Sequence, residues 1–133
     1  MNRDKLLELY KKYDLTKDDV FKHQHYVIIT RQGIDKIQGI EQIDIQYEVI
    51  QCTPNFSVMK AVAKKEGAKV ETFGSALKGK DFKDGNCNSW YVAEMAEKRA
   101  MSRAVLKLTG FYELGVFGED ESDNFKPTIT KNN

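Results

Sequence analysis

Between Ser89 and Gly110 the chain carries one continuous helical signature, and no other stretch limits the fold as tightly. Ala93, Ala96, Ala100 and Ala104, with Leu108, recur at spacings of three and four, the repeat that places side chains along one side of a helix. Alanine adds almost no bulk, so that side is built to lie close against a sheet. Ser89 is the expected N-cap, and Gly110 can take the left-handed conformation that ends a helix. Arg99, Arg103 and Lys107, at i, i+4 and i+8, line an adjacent face with positive charge. Glu94 and Lys98 are a favourable i, i+4 pair. Glu97 projects into the apolar arc, where a basic partner is expected.

Upstream the period changes. Ile43, Ile45, Tyr47 and Val49 alternate with Asp44, Gln46 and Glu48, the pattern of a half-buried strand. Thr53-Pro54-Asn55 is turn chemistry. Residues 56–65 supply a second strand, Glu66-Gly67 a tight hairpin turn, and residues 68–76 a third strand through Val70, Thr72 and Phe73. Short turns between consecutive strands imply an antiparallel meander. The expected fold class is therefore α+β: a three-stranded antiparallel meander packed on one long C-terminal helix, a β-β-β-α core over residues 41–118.

Residues 1–40 read as a helical extension of the same domain. Leu6, Leu7, Leu9 and Tyr10 mark a helix ending near Tyr13, and Thr16 with Lys17-Asp18-Asp19 opens a second short one. A brief β-type run covers Tyr26 to Ile29. Thr30 then caps a third helix whose inner face is Ile34, Ile37 and Ile40, with Gly39 as its stop. Phe111, Tyr112, Leu114, Val116 and Phe117 can still pack on the body, and residues 119–133 read as an acidic disordered tail.

A chain of 133 residues with 41% hydrophobic and 31% charged side chains and only 2 Pro suits one folded domain. The net charge of +1 conceals an uneven distribution. Residues 55–107 hold 11 basic and 6 acidic side chains, whereas residues 108–133 hold 2 and 5. Such a basic centre points to an anionic partner. The longest apolar run, Tyr26 to Ile29, is far too short for a membrane span, and no signal-peptide core is present, so a cytoplasmic protein is expected. Cys52 and Cys87, without a CxxC pattern, read as reduced thiols, the first buried and the second in a loop. A zinc site drawing on His23, His25 and both cysteines is the alternative.

Lys60 and Lys64 share one side of the second strand, Lys65 and Lys69 flank the hairpin turn, and Lys78, Lys80 and Lys83 follow in a glycine-containing loop. Set beside Arg99, Arg103 and Lys107, these cations suit a groove that tracks a phosphate backbone, with Trp90, Tyr91 or Phe82 stacking on bases. The competing readings are a solvated basic face and aromatics that simply pack. No Walker loop, GxGxxG, GxSxG or HExxH is present, so no enzyme, cofactor or metal is expected. Glu94 with Glu97, or the acidic segment from Glu119 to Asp123, is a weaker metal candidate. That segment is also placed to compete with nucleic acid for the groove.

Three strands followed by Ala96-Glu97-Lys98-Arg99-Ala100-Met101-Ser102-Arg103-Ala104-Val105-Leu106 and then Gly110 resemble the phage single-strand annealing proteins. These are the Erf and RecT kind and their Rad-fifty-two relatives. In that superfamily a β-β-β-α core ends in a helix of A-x-x-R-A-x-x-R-A-L type closed by a glycine. Ala96, Arg99, Ala100, Arg103, Ala104 and Gly110 occupy the pattern, with Val105 where leucine is commoner and Phe73-Gly74 closing the last strand. The resemblance covers roughly residues 43–118. It implies single-stranded DNA bound between hairpin and helix, annealing of complementary strands, homo-oligomeric rings or filaments, and no nucleotide hydrolysis. A phage exonuclease or a host single-strand-binding protein is the partner it implies. By position, Arg99 and Arg103 would serve the groove or brace it.

Overall fold

A computed structural model describes residues 3–79, 85–87 and 91–121. It contains three α-helices, α1 (Arg3–Lys12), α2 (Arg31–Glu41) and α3 (Val92–Thr109), with a short 3-10 turn at Tyr112–Leu114. Six strands complete it: β1 (Val20–His23), β2 (Tyr26–Ile29), β3 (Asp44–Cys52), β4 (Phe56–Lys65), β5 (Ala68–Leu77) and β6 (Val116–Gly118). The class is α+β, and its centre is the β3-β4-β5 meander crossed on one face by α3. The meander is antiparallel throughout, turns at Glu66-Gly67 as expected, and carries one bulge between Val49 and Gln51.

The alternation along β4 decides which face α3 takes. Ser57, Met59, Ala61 and Ala63 are buried, and so are Thr72, Gly74 and Ala76 on β5. Phe56, Val58, Lys60, Val62 and Lys64 point the other way. Small side chains on the inner face meet the alanines of α3, so the two backbones nearly touch. A Cβ on Gly74 would lie 2.2 Å from the Ala96 carbonyl oxygen and 2.4 Å from the Ala100 nitrogen. The Thr72 hydroxyl donates to the Ala100 carbonyl at 2.7 Å in the same place. Gly110, at φ 91°, ends α3 as expected. The expected cap, Ser89, lies outside the described residues, and Tyr91 stands at the N-cap position without a side-chain cap.

The N-terminal forty residues are not purely helical. Val20–His23 is a strand where a short helix was expected, and it pairs with β2, which in turn pairs in parallel with β6. This second sheet ties the two ends of the chain together across Val27, Ile28, Ile29 and Val116, all buried. Asp19, read from the sequence as a helix-start acid, is instead the buried hub of a turn. Its carboxylate accepts from the Thr16 nitrogen, the Gln32 side chain and the Lys36 ammonium, the last at 2.7 Å. Those hydrogen bonds overcome the upward push of burial and hold its pKa below the ordinary carboxylate value.

Thr30 caps α2 as expected, accepting from the Gly33 nitrogen. Gly39 does not stop the helix, which runs on to Glu41 and closes at left-handed Gln42. Ile34 and Ile37 are buried, whereas Ile40 is exposed. Cys52, expected to be buried, is exposed, while Cys87, expected in a loop, lies outside the named strands and is buried. No described helix is long and apolar enough to cross a membrane.

Candidate nucleic-acid interface

The arginines of α3 turn inward. Arg99 is 2% exposed, and its guanidinium donates to three backbone carbonyls: Ser75 at 2.9 Å, Asn86 at 2.7 Å and Asp120 at 3.1 Å. Arg103 donates to the Phe73 carbonyl at 3.0 Å and to the Glu121 carboxylate at 3.2 Å. Burial works against its charge, but the hydrogen bond and charge of Glu121 outweigh that, and its pKa is raised further. The spacing explains the fit. Four residues of helix rise about 6 Å, and two residues of strand advance about 6.8 Å. Residues i and i+4 of α3, running against β5, thus reach alternate outward-facing carbonyls of that strand.

Glu119–Glu121 hold this arrangement from outside. Glu119 accepts from the Arg31 backbone nitrogen, Asp120 accepts from the Ser102 hydroxyl, and Glu121 is buried against Arg103. These three residues were expected to begin a disordered tail; within the described residues they are docked. Glu97, expected to enter the apolar arc, is exposed.

The groove expected between hairpin and helix is not formed by the named cations. Lys60 and Lys64 point away from α3, on the outer face of the sheet, because they share the phase of Val58 and Val62. Lys60 pairs with Glu71 at 2.8 Å, which raises the lysine pKa and lowers that of the carboxylate. Lys107 is exposed, with its ammonium 5.2 Å from the Tyr112 ring centroid. Tyr91 is partly exposed, and the Lys98 ammonium lies 5.9 Å from its ring centroid. Trp90, Phe82, Lys80 and Lys83 lie outside the described residues.

What the structure does bring together is the outer face of the meander. Phe73, 50% exposed, sits directly across from Lys60, and Leu77 across from Phe56. Lys64 and Lys69 are also opposed, two like charges beside the hairpin turn. Opposed like charges destabilise a sheet, and here Lys69 pairs with Glu71 at 3.5 Å while Lys64 is registered with Asp44 on its other side. Asp44, Glu48 and Glu71 share this face, so cations and carboxylates are interspersed. The signal for this face was present in the period-two pattern Phe56, Val58, Lys60, Val62, Lys64 and its partner Lys69, Glu71, Phe73, Ser75, Leu77. The pattern does not say which of the two sheet faces α3 covers, and packing alone decides that.

Among the described residues no three His, Cys, Asp or Glu side chains gather where they would hold a metal ion. No family model matches the chain, no curated protein matches it, and no solved structure matches it.

Proposed function

We propose that this chain is a non-catalytic domain that binds single-stranded DNA and assists strand annealing in phage or prophage recombination. The observation that carries the reading is the outer sheet face, where exposed Phe73 lies directly across from Lys60, and the Lys64–Lys69 pair follows beyond Val62 and Glu71. An open antiparallel sheet with an exposed aromatic ring and flanking lysines offers a stacking surface and phosphate contacts together. The β-β-β-α order and the helix pattern from Ala96 to Gly110 support the same reading through the resemblance to annealing proteins. The α3 arginines enter it as braces that hold the sheet, and the outer-face lysines take the phosphate role.

Fluorescence anisotropy with a labelled single-stranded oligonucleotide, titrated at increasing salt, tests this. Three lysines meeting phosphates predict a log–log salt slope of about −2. Lys60→Glu with Lys64→Glu weakens binding at least tenfold, and Phe73→Ala weakens it without changing the slope. Absence of binding at low salt overturns the proposal. A protein-interaction module of the same fold that does not bind DNA is the second reading, and it is favoured by the outer edge of β3, with which no described strand pairs.

A further inference from the structure

The two edges of the meander are treated differently. On β5 the outward carbonyls of Phe73 and Ser75 accept from Arg103 and Arg99, and the Leu77 N–H and C=O are both taken by Asn86. On β3 no described strand pairs with the outer edge. That strand is nine residues long and carries exposed Tyr47, Val49 and Ile50, at 41%, 59% and 48%. A long apolar edge strand without a cover is a template for pairing with another strand.

The phase of the ladder says which residues offer that edge. In an antiparallel ladder the N–H and C=O of one residue point to the same side, and the side alternates along the strand. Phe73 and Ser75 face outward on β5, so their partners Lys60 and Val58 bond toward β3. Lys60 is registered with Glu48. Ile45, Tyr47 and Val49 therefore present their backbone groups to the open edge.

We propose that this edge pairs with the β3 edge of a second copy of the chain, antiparallel and two-fold symmetric about Tyr47. Charge and the limits of the regular strand decide the register: centring on Ile45 opposes only Asp44 and Gln46 within the strand, and centring on Val49 runs through the bulge. Centring on Glu48 would set Glu48 against itself, and centring on Gln46 would set Asp44 against Glu48; both oppose carboxylates. Centring on Tyr47 sets Ile45 against Val49 and Gln46 against Glu48, with no like charges facing each other. It also uses the regular stretch of β3 up to its bulge between Val49 and Gln51. The product is a continuous six-stranded sheet with both α3 helices on one face and both outer faces, with their lysines, on the other. The pairing does not depend on DNA being the ligand.

Sedimentation equilibrium of the full chain without nucleic acid is expected to give twice its 15.3 kDa mass. Tyr47→Lys with Val49→Lys brings an inward-pointing charge pair to the edge and is expected to return the mass to that of a monomer, with an unchanged circular dichroism spectrum. In a Cys52→Ser background, Tyr47→Cys is expected to form an intermolecular disulfide under mild oxidation, since paired strands hold opposed Cα atoms about 5.5 Å apart. Val58→Cys, on the central strand and registered with Gln51 inside the sheet, is not expected to cross-link. A wild-type monomer at all concentrations overturns the proposal. So does an oligomer that survives the lysine substitutions, or one that Tyr47→Cys does not trap.

Discussion

The two outer strands of one sheet, β3 and β5, have nearly equal length and opposite treatment. Every β5 carbonyl described above is met by a guanidinium or by Asn86, whereas β3 ends the sheet with its backbone groups turned outward. Helix α3 lies over β4 and β5 and barely reaches β3. The inner face of β3, at Tyr47 and Val49, is consequently left exposed. The difference teaches that conspicuous cations need not mark the ligand surface. A stripe of arginines can serve to close one edge, and the opposite edge, with which no described strand pairs, is then where association is expected.

The largest effect should come from the sealed side. Gly74→Ala puts a methyl group into the backbone of α3, where only displacement of the helix makes room. A loss of about 3 kcal/mol is expected from the denaturant midpoint. Arg99→Ala follows, removing a buried guanidinium and leaving three partly buried carbonyls without their donor, at a cost of about 2–3 kcal/mol in the same measurement. If Arg99→Ala keeps its stability but loses DNA binding, the brace reading is wrong. Arg103→Ala, at a half-buried site, should cost about 1 kcal/mol.

The smallest effect belongs to the open side: Val49→Lys should shift stability by less than about 0.5 kcal/mol in the monomer. A larger loss there would erase the contrast between the edges.

Acid offers a check away from both edges. Asp19 and Glu41 have folded-state pKa values below their ordinary values of 3.8 and 4.5. For Glu41 the leading cause is the hydrogen bond from Tyr13, whose own pKa is raised by burial and by Glu41. A carboxylate with a depressed folded pKa stabilises the fold above its unfolded pKa and loses that contribution as pH falls through the folded value. Thermal midpoints should therefore hold steady down to about pH 5 and decline below about pH 4. Asp19→Asn should flatten that decline while lowering the midpoint at neutral pH.

Much of the fold was legible in the residues. The period change at Ile43, the turn at Glu66-Gly67, the Thr30 cap and the end at Gly110 each depend on neighbours a few positions away, and each occurs where the pattern places it. The β1 strand was not legible, because Val20–His23 is held as strand by pairing with β2, and β2 by pairing with β6 nearly ninety residues later. The exposure of Cys52 was not legible for the same kind of reason. Exposure along an edge strand depends on what lies beside it, and α3 does not extend over Cys52.

By itself the sequence determined that a helix with an alanine face, closed by glycine, follows a three-stranded meander. Local periodicity and turn chemistry suffice for that, since they set hydrogen bonds within each element. Only the tertiary structure decided what the arginines do. The match between a helical rise of about 6 Å and a strand advance of about 6.8 Å carries Arg99 and Arg103 to the edge of β5. The alternation of β4 sends Lys60 and Lys64 to the opposite face. Backbone geometry fixes which side chains share a face, but which face meets another element is decided only once the elements have packed.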